Sequence, residues 1–348
     1  KCGRKVRSHE ARTDSAGVAR MPTSLYLPLH PSLPLQHHRV ARHTGESNQD
    51  ENERRNDVMN EGMSKEMNEA MKSNREPIPD LSSVVRACAD IDDVVKYYWG
   101  YPYQLGRQVI VPEMMAKGMF RPGDAVADIG CGEAGVLEAF VQAGAVKALG
   151  TDIADYRLDK ARIIADLLGI PLTLSKHDIL FSEPKDEWRN AYDLVLLRDV
   201  IEHLDDATLA LSNIRKILAP GGRVHVTFPP YSSPFGGHQQ LLENVWGVFP
   251  YLHMLPKALF ARIARTGKQA ANAEEVERLA SIRFSAKKML KAARDAGYEV
   301  VDEEYYLLRP VFKMKFGLPT IRITALKRLP FVRSLFSLEA AYVLRLPS

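Results

Sequence analysis

Six carboxylates, one arginine and two histidines fall where the hydrophobic pattern of this chain changes: Asp128, Glu133, Asp152, Asp178, Asp199, Glu202, Arg198, His203 and His238. Asp128 and Glu133 bracket a run of glycines, Gly130, Gly132 and Gly135, with Cys131 between the first two. Glycines at this spacing let the backbone turn sharply and let a ligand come close to it. Two acids in such a turn repel a pyrophosphate and suit a ligand carrying positive charge. His203 and His238 are the histidines placed for proton transfer. Cys131 reads either as a small residue that fits the turn or as a thiol with chemistry of its own.

The elements that would position these groups follow from periodicity. Val126 to Ala145 reads as a buried strand, the glycine turn and an amphipathic helix that stops at Gly144. Ala148 to Ile153 is a second strand ending in Asp152, 20 residues after Gly132. A carboxylate there can accept both hydroxyls of a ribose, or cap the helix Arg157 to Leu168 that follows. Pro171 to Ser175 is a third strand leading to Asp178 and Ile179, with His177 as a packing or surface residue. Leu194 to Leu197 is uniformly apolar, as a central parallel strand buried on both faces must be. Arg198, Asp199, Glu202 and His203 lie at its carboxyl end, where ligands of open α/β sheets bind. Glu202 and His203 suit either catalysis or the start of a helix.

A helix from Leu209 to Leu218 and a strand from Val224 to Phe228 come next. The loop PPYSSPFGGHQ then offers Tyr231, Ser232, Ser233, Phe235 and His238 to an acceptor. Gly236 and Gly237 are expected to make it compliant, with His238 at the rim of the site as an acid/base or a shaping group. Residues 240–284 form an expected helical cap, with helices Pro256 to Arg265 and Ala273 to Ile282. Ser285 caps Ala286 to Ala296. Tyr298 to Leu308 and Glu339 to Leu346 are the sixth and seventh strands. Upstream, Ser83 to Val95 and Arg107 to Met119 have helical spacing and flank five aromatics, Tyr97, Tyr98, Trp99, Tyr101 and Tyr103.

The stretch Asp128 to Gly135 and the stretch Asp199 to Leu204 (DVIEHL) resemble the class I S-adenosyl-L-methionine (SAM)-dependent methyltransferases. DVIEHL looks like the fourth motif of their small-molecule and quinone-type, type 11-like subgroup. The resemblance covers about residues 95–348. It implies an α/β, Rossmann-like, seven-stranded and mostly parallel sheet with a terminal antiparallel hairpin, helices on both faces, and helical cap insertions. It implies SAM as the cofactor, held by Asp128, Gly130, Cys131, Gly132, Asp152, Ile153, Asp178, Ile179 and Arg198, with Asp152 on the ribose and Asp178 on the adenine amino group. The aromatics at 97–103 would form a lid, or simply pack the leading helix. Transfer from a sulfonium is an in-line displacement that rests largely on holding the acceptor atom, and a base is needed only for a protonated acceptor. His238 and His203 are the candidates for that base. The competing readings are an NAD(P)-dependent oxidoreductase and a non-catalytic SAM-binding module.

Composition sets the outer limits. The chain has 348 residues, 45% hydrophobic, and three cysteines, Cys2, Cys88 and Cys131, without metal-ligand spacing. That argues for a reducing compartment and against structural zinc. No apolar run reaches the roughly 18 residues of a membrane span, so the expectation is a cytoplasmic protein, at most peripheral to a membrane. Residues 1–76 carry 13 basic and 11 acidic side chains and half of the ten histidines, and read as a disordered extension. Met59, Met63, Met67 and Met71 crowd its end, where the natural start is expected. Residues 77–120 read as a helical lid and 121–348 as the methyltransferase domain, with insertions at 240–284 and 310–338. Residues 309–348 hold 8 basic side chains and 1 acid. In 310–338 bases alternate with large apolar residues, which suits an anionic membrane surface, a lipid-like acceptor or a second cap with solvated bases. The remaining body is acidic and offers no stripe for nucleic acid. A small-molecule or lipid-like acceptor is therefore the expected partner, and the oligomeric state stays open.

Overall fold

The structure is a computed structural model that describes residues 78–324 and 330–347. The expectations for residues 1–76, and for the part of 310–338 that spans 325–329, lie outside the described residues. The strands are β1 (Ala125–Ile129), β2 (Lys147–Asp152), β3 (Thr173–Lys176), β4 (Tyr192–Arg198), β5 (Leu218–Phe228), β6 (Glu299–Leu308), β7 (Ile321–Arg322) and β8 (Glu339–Arg345). They form one sheet in the order β3-β2-β1-β4-β5-β8-β6-β7. The pairs from β3 to β5 are parallel, and β8 runs antiparallel between β5 and β6.

The central strands bury both faces, which is why their sequences run apolar instead of alternating. Ala127 and Ile129 of β1 and Val195 and Leu197 of β4 enter one core, with Leu211, Ile214 and Met289 from the covering helices Ala207–Ile217 and Ala286–Asp295. Val126, Leu194 and Leu196 enter the other, with Leu137 and Phe140 from the helix Gly135–Gln142. The sheet thus brings the carboxyl ends of β1, β2, β4 and β5 to one edge, with Ile129 opposite Thr151 and Leu197, and Arg198 opposite Thr227.

Several boundaries differ from the sequence reading. The sheet has eight strands, not seven: β7 is two residues long and pairs antiparallel with β6, too short to leave a periodic signal. β5 begins at Leu218, because Tyr192 pairs with Leu218 and Leu194 with Arg223, so residues 219–222 bulge out of the ladder. The leading helices are Ser82–Ala87 and Asp93–Leu105, broken where Asp92 caps the second through Val94 N at 2.8 Å. Asp93–Leu105 contains Pro102 and widens into a π turn, Gly106–Ile110, before Val111–Ala116.

The insertion comprises three 3₁₀ turns and the helices Lys257–Ala264 and Ala270–Ile282. Leu241, Leu242, Phe260, Ala264 and Val276 give it a core of its own. In the later segment the bases are not simply solvated. Arg322 pairs with Glu113 and Glu304, and Arg333 pairs with Glu303 at 2.6 Å while lying 3.8 Å from the centroid of Tyr305.

Candidate functional site

The glycine turn is held from below by β2: Gly130 N and Cys131 N both donate to Thr151 O, at 2.7 and 2.9 Å. Gly130 has φ +77°, and a Cβ on it would run into Cγ2 of Val200 in the loop after β4. Close approach, as well as the left-handed backbone, therefore demands glycine here. Asp152 accepts from Gly132 N at 3.0 Å and from Ala154 N at 2.9 Å. Its carboxylate thus ties the turn to the end of β2, and it does not act as the N-cap of Asp155–Leu168, where Ala154 sits.

Electrostatics separate the two acids of the turn. Glu133 is neutralised by Arg157, which holds it with two hydrogen bonds at 3.1 and 2.8 Å. The sequence reading missed Arg157, 24 residues away on the next helix. Asp128 is 5% exposed and is in no ion pair with a described residue. Burial pushes its carboxyl up to about 7, helped by the neighbouring Asp152 and offset in part by Arg198. A cation brought to this edge would complete the charge that Asp128 and Asp152 leave uncompensated. Burial, with Asp128 and Asp152 beside it, raises the Cys131 thiol well above its ordinary range, which argues against a nucleophile.

The other proposed cofactor residues divide. Ile153 is 43% exposed at the end of β2. Asp178 is half-buried and closes an Asx turn onto Leu180 N at 2.9 Å. Ile179 packs into the core, and Asn213 donates to its carbonyl at 2.7 Å. Arg198 ends β4 with its Nε lacking a hydrogen-bond partner. His177 packs edge-on against Trp188.

The aromatic run splits by helical face. Trp99 and Tyr103 are buried and stack on each other at 4.6 Å, and Trp99 Nε1 donates to the buried Glu138 at 2.7 Å. Tyr98 and Tyr101 are only partly buried; burial raises both phenols, and the charges of Arg157 and Glu133 act on them as well. Lys315 stands 4.0 Å from the centroid of Tyr101.

The structure brings the two candidate histidines together. Their rings stand edge-to-face with centroids 4.9 Å apart, and Glu202 Oε1 lies 3.8 Å from Nε2 of His203 and 3.9 Å from Nε2 of His238. His238 is 2% exposed, not at the rim. Its loop is closely packed, since Cβ atoms on Gly236 and Gly237 would collide with Pro230 and His253. Tyr231 is buried in the same loop, with its hydroxyl on His253 O at 3.2 Å.

Atoms of Glu202, His203 and His238 all lie within 4.8 Å of one another, and Glu202 and His238 hold no hydrogen bond on their side-chain polar atoms. Burial pushes Glu202 up to about 8 and His238 down to about 3. His238 and Asp199 hold left-handed backbones, at φ +53° each. Such conformations cost a bulky side chain energy and cluster at functional sites.

Residues 127–224 match a family model described as a methyltransferase domain. Among the chain's relatives is the ubiquinone biosynthesis O-methyltransferase of Shewanella halifaxensis (strain HAW-EB4), 28% identical over 144 residues, 41% of this chain and 57% of that protein. The protein of the same name from Proteus mirabilis (strain HI4320) is 30% identical over 109 residues, 31% of this chain and 42% of that protein. The chain thus spans about half the length of these curated relatives. A solved SAM-dependent methyltransferase of Thermotoga maritima, a possible histamine N-methyltransferase, is similar with a TM-score of 0.41 at 14% identity, covering 72% of this chain and 90% of that one. The family match begins inside β1, takes in the glycine turn and Asp152, and ends in β5, so the chain carries a methyltransferase domain over residues 127–224.

Proposed function

We propose that the chain transfers the methyl group of SAM to oxygen or carbon of a small-molecule or lipid-like, largely apolar acceptor. The observation that carries this is the pair Asp128 and Asp152: two buried carboxyls at the glycine turn, neither in an ion pair with a described residue. SAM carries an α-ammonium and a sulfonium, and supplies an activated methyl as co-substrate. Asp128 and the backbone of Gly130 to Gly132 would hold its charged end, Asp152 its ribose, and Ile153 and Asp178 its adenine. Tyr98 and Tyr101 would close over it as a lid, and His203 or His238 would take the acceptor's proton.

The acceptor class is supported by the insertion, which exposes Trp246, Phe249, Met254 and Leu259. Peripheral contact with a membrane would bring a lipid-like acceptor to that surface. Among the described residues no helix is long and apolar enough to cross a membrane. Incubation with methyl-labelled SAM and a fractionated cell extract tests the reading. Label is expected in small-molecule or lipid fractions, and label in protein or RNA alone would refute the acceptor class.

A further inference from the structure

We infer that Glu275, carried by the insertion helix Ala270–Ile282, is a positioning residue for methyl transfer, and that through it His203, not His238, is the base. The inference rests on the transferase reading above. Glu275 is buried, and its Oε1 lies 2.7 Å from Nδ1 of His203. Arg278 holds the same carboxylate at 3.0 Å through both Nε and Nη2. It also donates to His203 O at 2.8 Å and pairs with Asp205 at 3.1 Å, so the insertion is bound to this turn at several points.

An ionised carboxylate only accepts hydrogen bonds, so the proton of neutral His203 must sit on Nδ1. Glu275 is ionised: burial opposes its charge, but His203 and Arg278 hold it down at about 2. The lone pair of His203 is then on Nε2, which has no hydrogen-bond partner and faces Glu202 and His238. Burial would pull His203 down, yet the bond from Glu275 and the neighbouring Glu202 raise it, against the opposing charge of Arg278. His238 has no such carboxylate within hydrogen-bonding distance, and burial beside His203 leaves it a weak base. Asp199 and Arg309 also act on the cluster.

For a hydroxyl acceptor, the O–H proton passes to Nε2 of His203 and the oxygen's electron pair forms the bond to the methyl carbon. The pair of the broken C–S bond stays on sulfur. The imidazolium so formed is balanced by Glu275, and its proton returns to solvent. A helix that reads as a peripheral cap would therefore complete the proton-accepting group.

Two-bond ¹H–¹⁵N spectra of the histidine side chains, with His203→Asn for assignment, should show His203 as the Nδ1–H tautomer. In Glu275→Gln its titration midpoint should fall by about one pH unit or more as the charged partner is lost. With catechol as probe acceptor, Glu275→Gln should lower kcat about tenfold or more. The acidic limb of its pH profile should follow the His203 midpoint, and Glu275→Asp should recover part of the rate. KM for SAM should hold. An Nε2–H tautomer in the wild type, or an unmoved midpoint and pH limb in Glu275→Gln, would overturn the assignment. The wild-type tautomer decides the matter if the variant does not fold. S-adenosylhomocysteine (SAH) binding, followed by calorimetry, separates the two levels. A wild type that binds no SAH sinks the transferase reading, and the tautomer still judges Glu275.

Discussion

The Cγ2 methyl of Val200 occupies the space that a Cβ on Gly130 would need. The glycine turn after β1 and the loop after β4 therefore meet at this position. Gly130→Ala should lower the melting temperature, with about 1–2 kcal/mol coming from the left-handed backbone alone, and should weaken SAH binding at least tenfold. Adding Val200→Ala should restore part of both, because it relieves the collision and leaves the backbone strain. Thermal melts and calorimetry of the single and double variants check this, and no recovery in the double variant would show that Val200 is not the obstacle.

Cofactor affinity should depend on pH through Asp128. Burial raises its carboxyl to about 7 in the free protein, so it is largely neutral below that pH and charged above it. A ligand with an ammonium group favours the charged form. SAH should therefore bind more tightly as pH rises through about 7, with proton release visible as a buffer-dependent heat. Asp128→Asn should remove the dependence.

Much of this edge is legible in the sequence, because a strand buried on both faces leaves a continuous apolar run and a tight turn leaves glycines. Leu194 to Leu197 and Gly130 to Gly135 are such signals. What the sequence withholds is contact between distant residues. Glu275 and Arg278 read as an ordinary i,i+3 pair on a helix surface, yet they meet His203, 72 positions earlier. Gly236 and Gly237 carry the same ambiguity: glycine signals either freedom or close approach, and only the position of His253 decides for the latter.

Glu138 gives stability a pH dependence of known sign. Its carboxyl is fully buried, and burial raises it to about 8 against an ordinary 4.5, despite the bond from Trp99. Its stabilising contribution is complete below the unfolded value and is lost as pH rises through about 8. Glu138→Gln, which cannot ionise, should melt several degrees above the wild type at pH 9 and no higher than it at pH 5. Parallel melting curves would contradict the assignment.

Asp152→Ala should weaken SAH binding by about 1.5–3 kcal/mol, because it removes a charge-assisted acceptor from the ribose. It also frees Gly132 N and Ala154 N, so a stability loss of about 1–2 kcal/mol should accompany it. Unchanged affinity with reduced stability would mean that Asp152 serves the turn alone.

The central claim is that the acidic glycine turn holds SAM and not a dinucleotide. Calorimetric titration of the wild-type protein with SAH, and separately with NADH and NADPH, tests it directly. The account predicts saturable binding of SAH at one site per chain and no heat of binding from either nicotinamide cofactor. Saturable binding of NADH or NADPH with none of SAH would contradict it.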